Sequence, residues 1–229
     1  MIKSLSLCLL AVALAFAAPQ AAHQFLPEGQ TLRYAVKGPG GVSVGEAQLL
    51  ASRSGDRWSF AFSLDATVAG FTISDSYQSL AGGDFCSVEL VKQFTHGTRK
   101  GAERTTFNSP MATRETLGGG GKSQFAVPAC AHDALAFLFF LRRELAESRR
   151  PASALVYFGA PYRLAMEYGT QEKIPMDGRP TDADRITVSV QGPVARSTFQ
   201  VWFLRDAART PVRVVVPLPA GNFSLELQR

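Results

Sequence analysis

The stretch Trp58-Ser59-Phe60-Ala61-Phe62-Ser63-Leu64-Asp65-Ala66-Thr67-Val68 decides the fold class. Its large apolar residues fall on every second position, with smaller or polar ones between them. That period of two puts one face of an antiparallel strand on a core and the other in water. The same period returns at Ile186-Thr187-Val188-Ser189-Val190 and at Phe223-Ser224-Leu225-Glu226-Leu227. Shorter runs at 31–37, 42–52, 71–80, 84–94, 104–107, 112–117, 124–127, 154–158, 162–168, 198–204 and 212–216 read as further strands. Turn signals such as Gly38-Pro39-Gly40-Gly41, Ser54-Gly55-Asp56, Asp177-Gly178 and Gly192-Pro193 separate them.

One segment breaks the period. Ala134-Leu-Ala-Phe-Leu-Phe-Phe-Leu141 leads into Arg142-Arg143-Glu144 and ends before Pro151, which reads as a helix over about 132–148. His132 or Asp133 is placed to cap its first turn. Its first half is apolar nearly all round, so it belongs inside the protein; of Phe137, Phe139, Phe140 and Leu141, most are expected in the core. The expected fold is therefore mainly β, a β-rich α+β arrangement. A curved antiparallel sheet or half-barrel wraps around one buried helix.

The chain has 229 residues, of which 46% are hydrophobic and 19% charged, with 20 Gly and 13 Pro. This excludes disordered, collagen-like and low-complexity classes and is enough to bury a real core. The net charge of +5 comes from scattered Arg. Its densest cluster, Arg142, Arg143, Arg149 and Arg150, lies on and after the helix. No basic stripe interleaved with aromatics is present, so no nucleic-acid partner is expected.

The beginning reads as an address. Lys3 supplies the positive start, residues 4–18 carry no charge, and Ala15-Phe16-Ala17 fits a signal peptidase site. The expected division is a signal peptide over 1–17, a flexible segment over 18–30, and a single β-rich domain over 31–229. The expected location is the periplasm or the extracellular space. The apolar run at 134–141 falls far short of the roughly 20 residues that cross a bilayer, so no transmembrane segment is expected in the mature chain. Cleavage removes Cys8 and leaves Cys86 and Cys130. In an oxidising compartment such a pair is most simply a disulfide, and the alternative is two buried thiols.

Catalytic patterns fail one by one. Gly121-Lys122-Ser123 imitates the end of a phosphate-binding loop, but Thr116 stands where the first glycine is required. No Gly-x-Ser-x-Gly elbow occurs, and His23, His96 and His132 have no metal-ligand spacing. Neither a metal nor a cofactor is expected. Glu46, Asp65 and Asp75 are the carboxylates left for acid–base work, should the fold bring them together.

The run Val201-Trp202-Phe203-Leu204-Arg205-Asp206-Ala207-Ala208-Arg209-Thr210-Pro211-Val212-Arg213 resembles a bacterial exported family known as domain of unknown function 3108. Leu32-Arg33-Tyr34, Gly41-Val-Ser-Val-Gly45-Glu46-Ala47, Asp75-Ser76-Tyr77 and Asp133-Ala134-Leu135 echo the same family. The resemblance implies a β-rich envelope protein and no reaction. Read physically, Trp202, Asp206, Arg209, Pro211 and Arg213 specify a hairpin, and Asp206 suits its turn. The functional alternative is that Asp206, Arg209 and Arg213 form a recognition patch for an anionic group.

Three function classes follow. The first is a non-catalytic exported protein that binds or carries an apolar, lipid-like ligand within the curved sheet. The second is a structural or interaction protein of the envelope that pairs a sheet edge with a protein partner. The third is an enzyme acting on envelope polymers through carboxylates. An apolar cavity above roughly 300 Å³ beside the helix favours the first.

Overall fold

The computed structural model describes Leu26 and residues 29–176, 178–193 and 196–228. The expected signal peptide over 1–17, with its Ala15-Phe16-Ala17 site, lies outside the described residues, as does most of the 18–30 segment. Leu26 is buried in the core, and Gln30 already belongs to the first strand.

The first half of the chain is a meander of eight strands. These are β1 (Gln30–Lys37), β2 (Ser43–Ser54), β3 (Arg57–Val68) and β4 (Phe71–Ala81), then β5 (Ser87–His96), β6 (Arg99–Asn108), β7 (Met111–Thr116) and β8 (Lys122–Ala126). A short strand, β9 (His132–Asp133), leads into the helix α1 (Ala134–Ala146). A second meander follows: β10 (Ser153–Tyr157), β11 (Pro161–Met176), β12 (Arg179–Gln191), β13 (Arg196–Leu204), β14 (Pro211–Leu218) and β15 (Gly221–Gln228).

These strands form one sheet in the order β8-β7-β6-β5-β4-β3-β2-β1-β15-β14-β13-β12-β11-β10-β9. The chain thus starts at the centre, runs out to one edge, crosses back through α1, and returns from the opposite edge. Arg33 pairs with Gln228, so the first and last strands close the two meanders into a single surface. All neighbours are antiparallel except β9 with β10. The curvature brings the two outer regions face to face: Tyr157 of β10 stacks on Phe125 of β8, with centroids 5.6 Å apart, and meets Phe107 of β6 edge-on. This nearly closed, helix-filled sheet is the β-rich architecture read from the period of two.

The inward face of β3 carries Trp58, Phe60 and Ala66 into the core, while Ser59, Asp65 and Thr67 face water. Ile186 and Val188 of β12 and Val201 and Phe203 of β13 do the same in the second meander. α1 lies between the halves, with Phe137, Phe139 and Leu141 buried. Phe140 is only half-buried and faces the His132 ring 4.6 Å away, so it is a flank of the helix and not its core face.

Several strands depart from their expected limits, and β6 starts at Arg99, five residues before the expected 104. The hairpin of β11 and β12 runs on to Met176 and Arg179, eight residues past Tyr168, after a register shift between Tyr168 and Gln171. The polar run Gly169-Thr-Gln-Glu-Lys173 shows no apolar alternation, so its strand character comes from pairing alone. β5 begins at Ser87 and not at Asp84, because Phe85 takes a φ of 64° and Cys86 is bridged to Cys130, with Cα atoms 4.8 Å apart.

Candidate functional site

Polar residues fix the position of the helix. Asp133 caps α1: its Oδ1 accepts from the Leu135 and Ala136 backbone N–H groups at 2.9 and 3.1 Å. Its Oδ2 accepts from Ser79 of β4 at 2.6 Å and Ser87 of β5 at 2.7 Å. Burial pushes the carboxyl above the usual carboxylate range, against these four donors. At the other end the buried Arg142 donates to the Ala208 carbonyl at 2.9 Å and to Gln30 Oε1 at 2.8 Å. Burial lowers its pKa to about 10. The helix is therefore anchored to β4 and β5 at its start, and to β1 and the β13–β14 turn near its end.

Between these anchors the packing is incomplete. A cavity of about 480 Å³ lies between α1 and the concave face of the sheet. Leu138 of the helix, Phe62 of β3, Leu164 of β11, Phe199 of β13 and Val214 of β14 line it, with Phe158 at the β10–β11 turn. Its tyrosines are mostly engaged elsewhere. The Tyr34 hydroxyl donates to the Pro211 carbonyl at 2.8 Å, and burial raises its pKa. Burial and then the neighbouring Asp75 raise that of Tyr77. Among the described residues no charged side chain lines the cavity.

A polar seam borders the cavity. Glu103 of β6 pairs with Lys92 of β5 at 2.8 Å and with Arg114 of β7. Lys92 also donates to the Phe158 carbonyl at 3.3 Å and lies 4.2 Å from the centre of the Phe158 ring, which is itself part of the cavity wall. Burial alone would raise the Glu103 pKa, but the bonds from Arg114 and Lys92 hold it below its ordinary value.

The residues of the 201–213 run are brought together as a hairpin. Asp206 accepts from the Thr210 backbone N–H at 2.9 Å and from its hydroxyl at 2.7 Å. Arg209, with a φ of 45°, donates to Asp184 at 2.9 Å. Arg213 pairs with Glu226 at 3.7 Å and lies over the Trp202 ring. The Trp202 indole donates to Glu172 at 2.9 Å, and Pro211 supplies the carbonyl that holds Tyr34. Each of these three charges already has an internal partner of the chain.

Of the remaining carboxylates, two are brought together on the outer face of the sheet and the third, Asp75, lies apart from them. Glu46 and Asp65 stand opposite each other on β2 and β3, out of phase with the buried Ala47 and Ala66. Asp75 faces inward and bonds His96 at 3.0 Å. Lys122 of the glycine-rich turn pairs with Glu115. Among the described residues no group of His, Cys, Asp and Glu is arranged to hold a metal ion, and no helix is long and apolar enough to cross a membrane. The cavity-lining residues were not separable from core residues in the sequence, since both occupy inward strand positions; the one signal was a helix apolar on more faces than packing uses.

A family model described as a protein of unknown function, DUF3108, matches residues 31–228. No curated protein matches the chain. A solved β-barrel-like protein of domain of unknown function DUF1849 from Brucella abortus is similar in fold, with a TM-score of 0.66 at 6% identity. The match covers 88% of this chain and 96% of that one. A protein from Parabacteroides distasonis, provisionally described as a lipoprotein, aligns over 89% of this chain and 98% of its own, with a TM-score of 0.34 at 10% identity.

Proposed function

We propose that this chain, which belongs to the DUF3108 family of proteins of unknown function, is an exported, non-catalytic envelope protein that holds one apolar, lipid-like ligand between α1 and the sheet. The observation that carries this reading is the cavity of about 480 Å³ with its almost wholly hydrocarbon wall. A void of this size lined by apolar side chains forfeits dispersion contacts that a close-packed interior makes. Chain-like hydrocarbon restores those contacts, and water does not.

Export is supported by the Cys86–Cys130 disulfide, since such bonds persist in oxidising compartments. The interaction-protein alternative is weakened by the facing of the two outer strand regions, which leaves little open edge for strand addition.

An environment-sensitive apolar dye, N-phenylnaphthylamine, tests the reading. Saturable fluorescence enhancement with one dye per chain is expected, displaced by palmitate. Leu164→Trp, which fills the cavity from β11, abolishes it while the thermal transition is retained. Equal enhancement in wild type and Leu164→Trp overturns the reading.

A further inference from the structure

In an antiparallel sheet, alternate turns lie at the same end. The turns β1–β2, β3–β4, β5–β6, β7–β8, β10–β11, β12–β13 and β14–β15 therefore form one rim, and the remaining turns form the other. The cavity runs towards both rims, and Phe203 and Pro211 line it near the second. At the first, its lining reaches Tyr162 and Val190, each one residue from the rim end of its strand. The opposite rim is occupied by the C-terminal half of α1, where Arg142 is bonded to Ala208.

The two rims differ in chemistry. The first rim carries exposed apolar side chains on three hairpins: Val42 (64% exposed), Phe71 (50%) and Leu218 (49%). Neighbouring turns accommodate them. Phe71 lies against Gly97 of the β5–β6 turn, where an added Cβ would sit 2.6 Å from its ring. The β14–β15 turn touches the β1–β2 turn through Gly221 and Pro39, where an added Cβ would be 2.9 Å from the ring. Around these tips stand Lys37, Arg99, Lys100, Lys122, Arg163 and Arg196. Within two residues of the strand ends that form this rim, the one carboxylate among the described residues is Glu115, which is paired with Lys122. At the other rim Arg53, Arg57, Arg179, Arg205 and Arg209 are interspersed with Asp56, Asp84, Asp184 and Asp206, and Asp184 pairs with both Arg205 and Arg209.

We infer that the first rim is a docking surface for an anionic phospholipid bilayer. Apolar tips enter the interface while basic side chains meet the headgroup phosphates. A protein partner would need an acidic rim around an apolar patch, a narrower requirement than the one an anionic bilayer meets over any area. Six basic residues opposed by one already paired carboxylate supply the charge complementarity. The apolar tips supply an anchoring component that salt does not screen. The inference deepens the proposed function, since the docked rim is the end of the cavity that the C-terminal half of α1 does not occupy. Its test, however, reads the surface alone.

The experiment is flotation of the disulfide-bonded protein with vesicles of pure phosphatidylcholine or of phosphatidylcholine mixed with phosphatidylglycerol. Binding to the mixed vesicles is expected to be at least roughly tenfold stronger. Arg99→Glu with Lys100→Glu, and separately Phe71→Ser with Leu218→Ser, each lower it by roughly tenfold or more. Met111→Ser, an exposed apolar residue at the opposite rim, leaves it unchanged. Circular dichroism melts confirm that each variant is folded. Dye binding is measured on the same proteins, so loss of vesicle binding with the dye retained separates the surface from the cavity. Equal binding to both vesicle types, no binding to either, or full binding by the two rim variants overturns the inference, whatever the dye reports.

Discussion

Phe139 of α1 stacks on Phe60 of β3, with ring centroids 4.1 Å apart and planes 10° from parallel. The contact joins the two signals that define the protein, the helix that breaks the strand period and the strand that states it most clearly. Both side chains are almost completely buried, and Trp58 and Phe85 extend the aromatic layer around Phe60.

Truncation at this stack should be costly. Phe139→Ala is expected to destabilise the fold by about 3–5 kcal/mol, the usual range for a buried Phe replaced by Ala. Phe140→Ala, one residue on, should cost much less, because Phe140 is half-buried against His132. Urea denaturation of the two variants checks this, and equal midpoints would place the helix in the wrong rotation.

The helix start should depend on one carboxylate. Asp133→Ala removes the cap, worth about 1 kcal/mol. It also leaves the buried Ser79 and Ser87 hydroxyls without their acceptor, at about 1–3 kcal/mol more. The thermal transition should fall accordingly. The adjacent disulfide should act on the same region: Cys86→Ala with Cys130→Ala releases a closure of 44 residues, worth up to about 4 kcal/mol if chain entropy dominates. Melting with and without reductant measures it.

The seam beside the cavity should be sensitive to acid. The Glu103 carboxyl is held below its ordinary value of 4.5 by Arg114 and Lys92, in spite of its burial. A carboxylate lowered on folding adds stability above its unfolded pKa and loses it as pH falls through the folded value. Wild type should therefore lose stability below about pH 4.5 more steeply than Glu103→Gln, which lacks that titration. Parallel stability–pH curves for the two proteins would contradict this role.

Much of this architecture is legible in the sequence, for a physical reason. Alternation at 58–68 and 185–190 reports burial on one face, and burial is what the sheet imposes there. The all-round apolarity of 135–141 likewise signals a helix with no exposed side. The extension of β11 beyond Tyr168 carries no such signal, because its residues are stabilised by cross-strand pairing between two polar strands. The cavity was invisible for a different reason. Leu164 and Met166 are apolar residues in the same phase of one strand, yet Leu164 is half-buried and lines the void while Met166 is packed in the core. Only the curvature of the sheet decides between them. The 201–213 run was legible as a hairpin, but its charge partners Asp184, Glu172 and Glu226 lie on other strands and could not be paired in advance.

Native mass spectrometry of the folded chain titrated with palmitate tests the central claim most directly. The account predicts a single added ligand mass that saturates at one per chain, and its loss in Leu138→Trp, where the new ring occupies the cavity from the helix side. No adduct at saturating palmitate, or an adduct undiminished in Leu138→Trp, would contradict it.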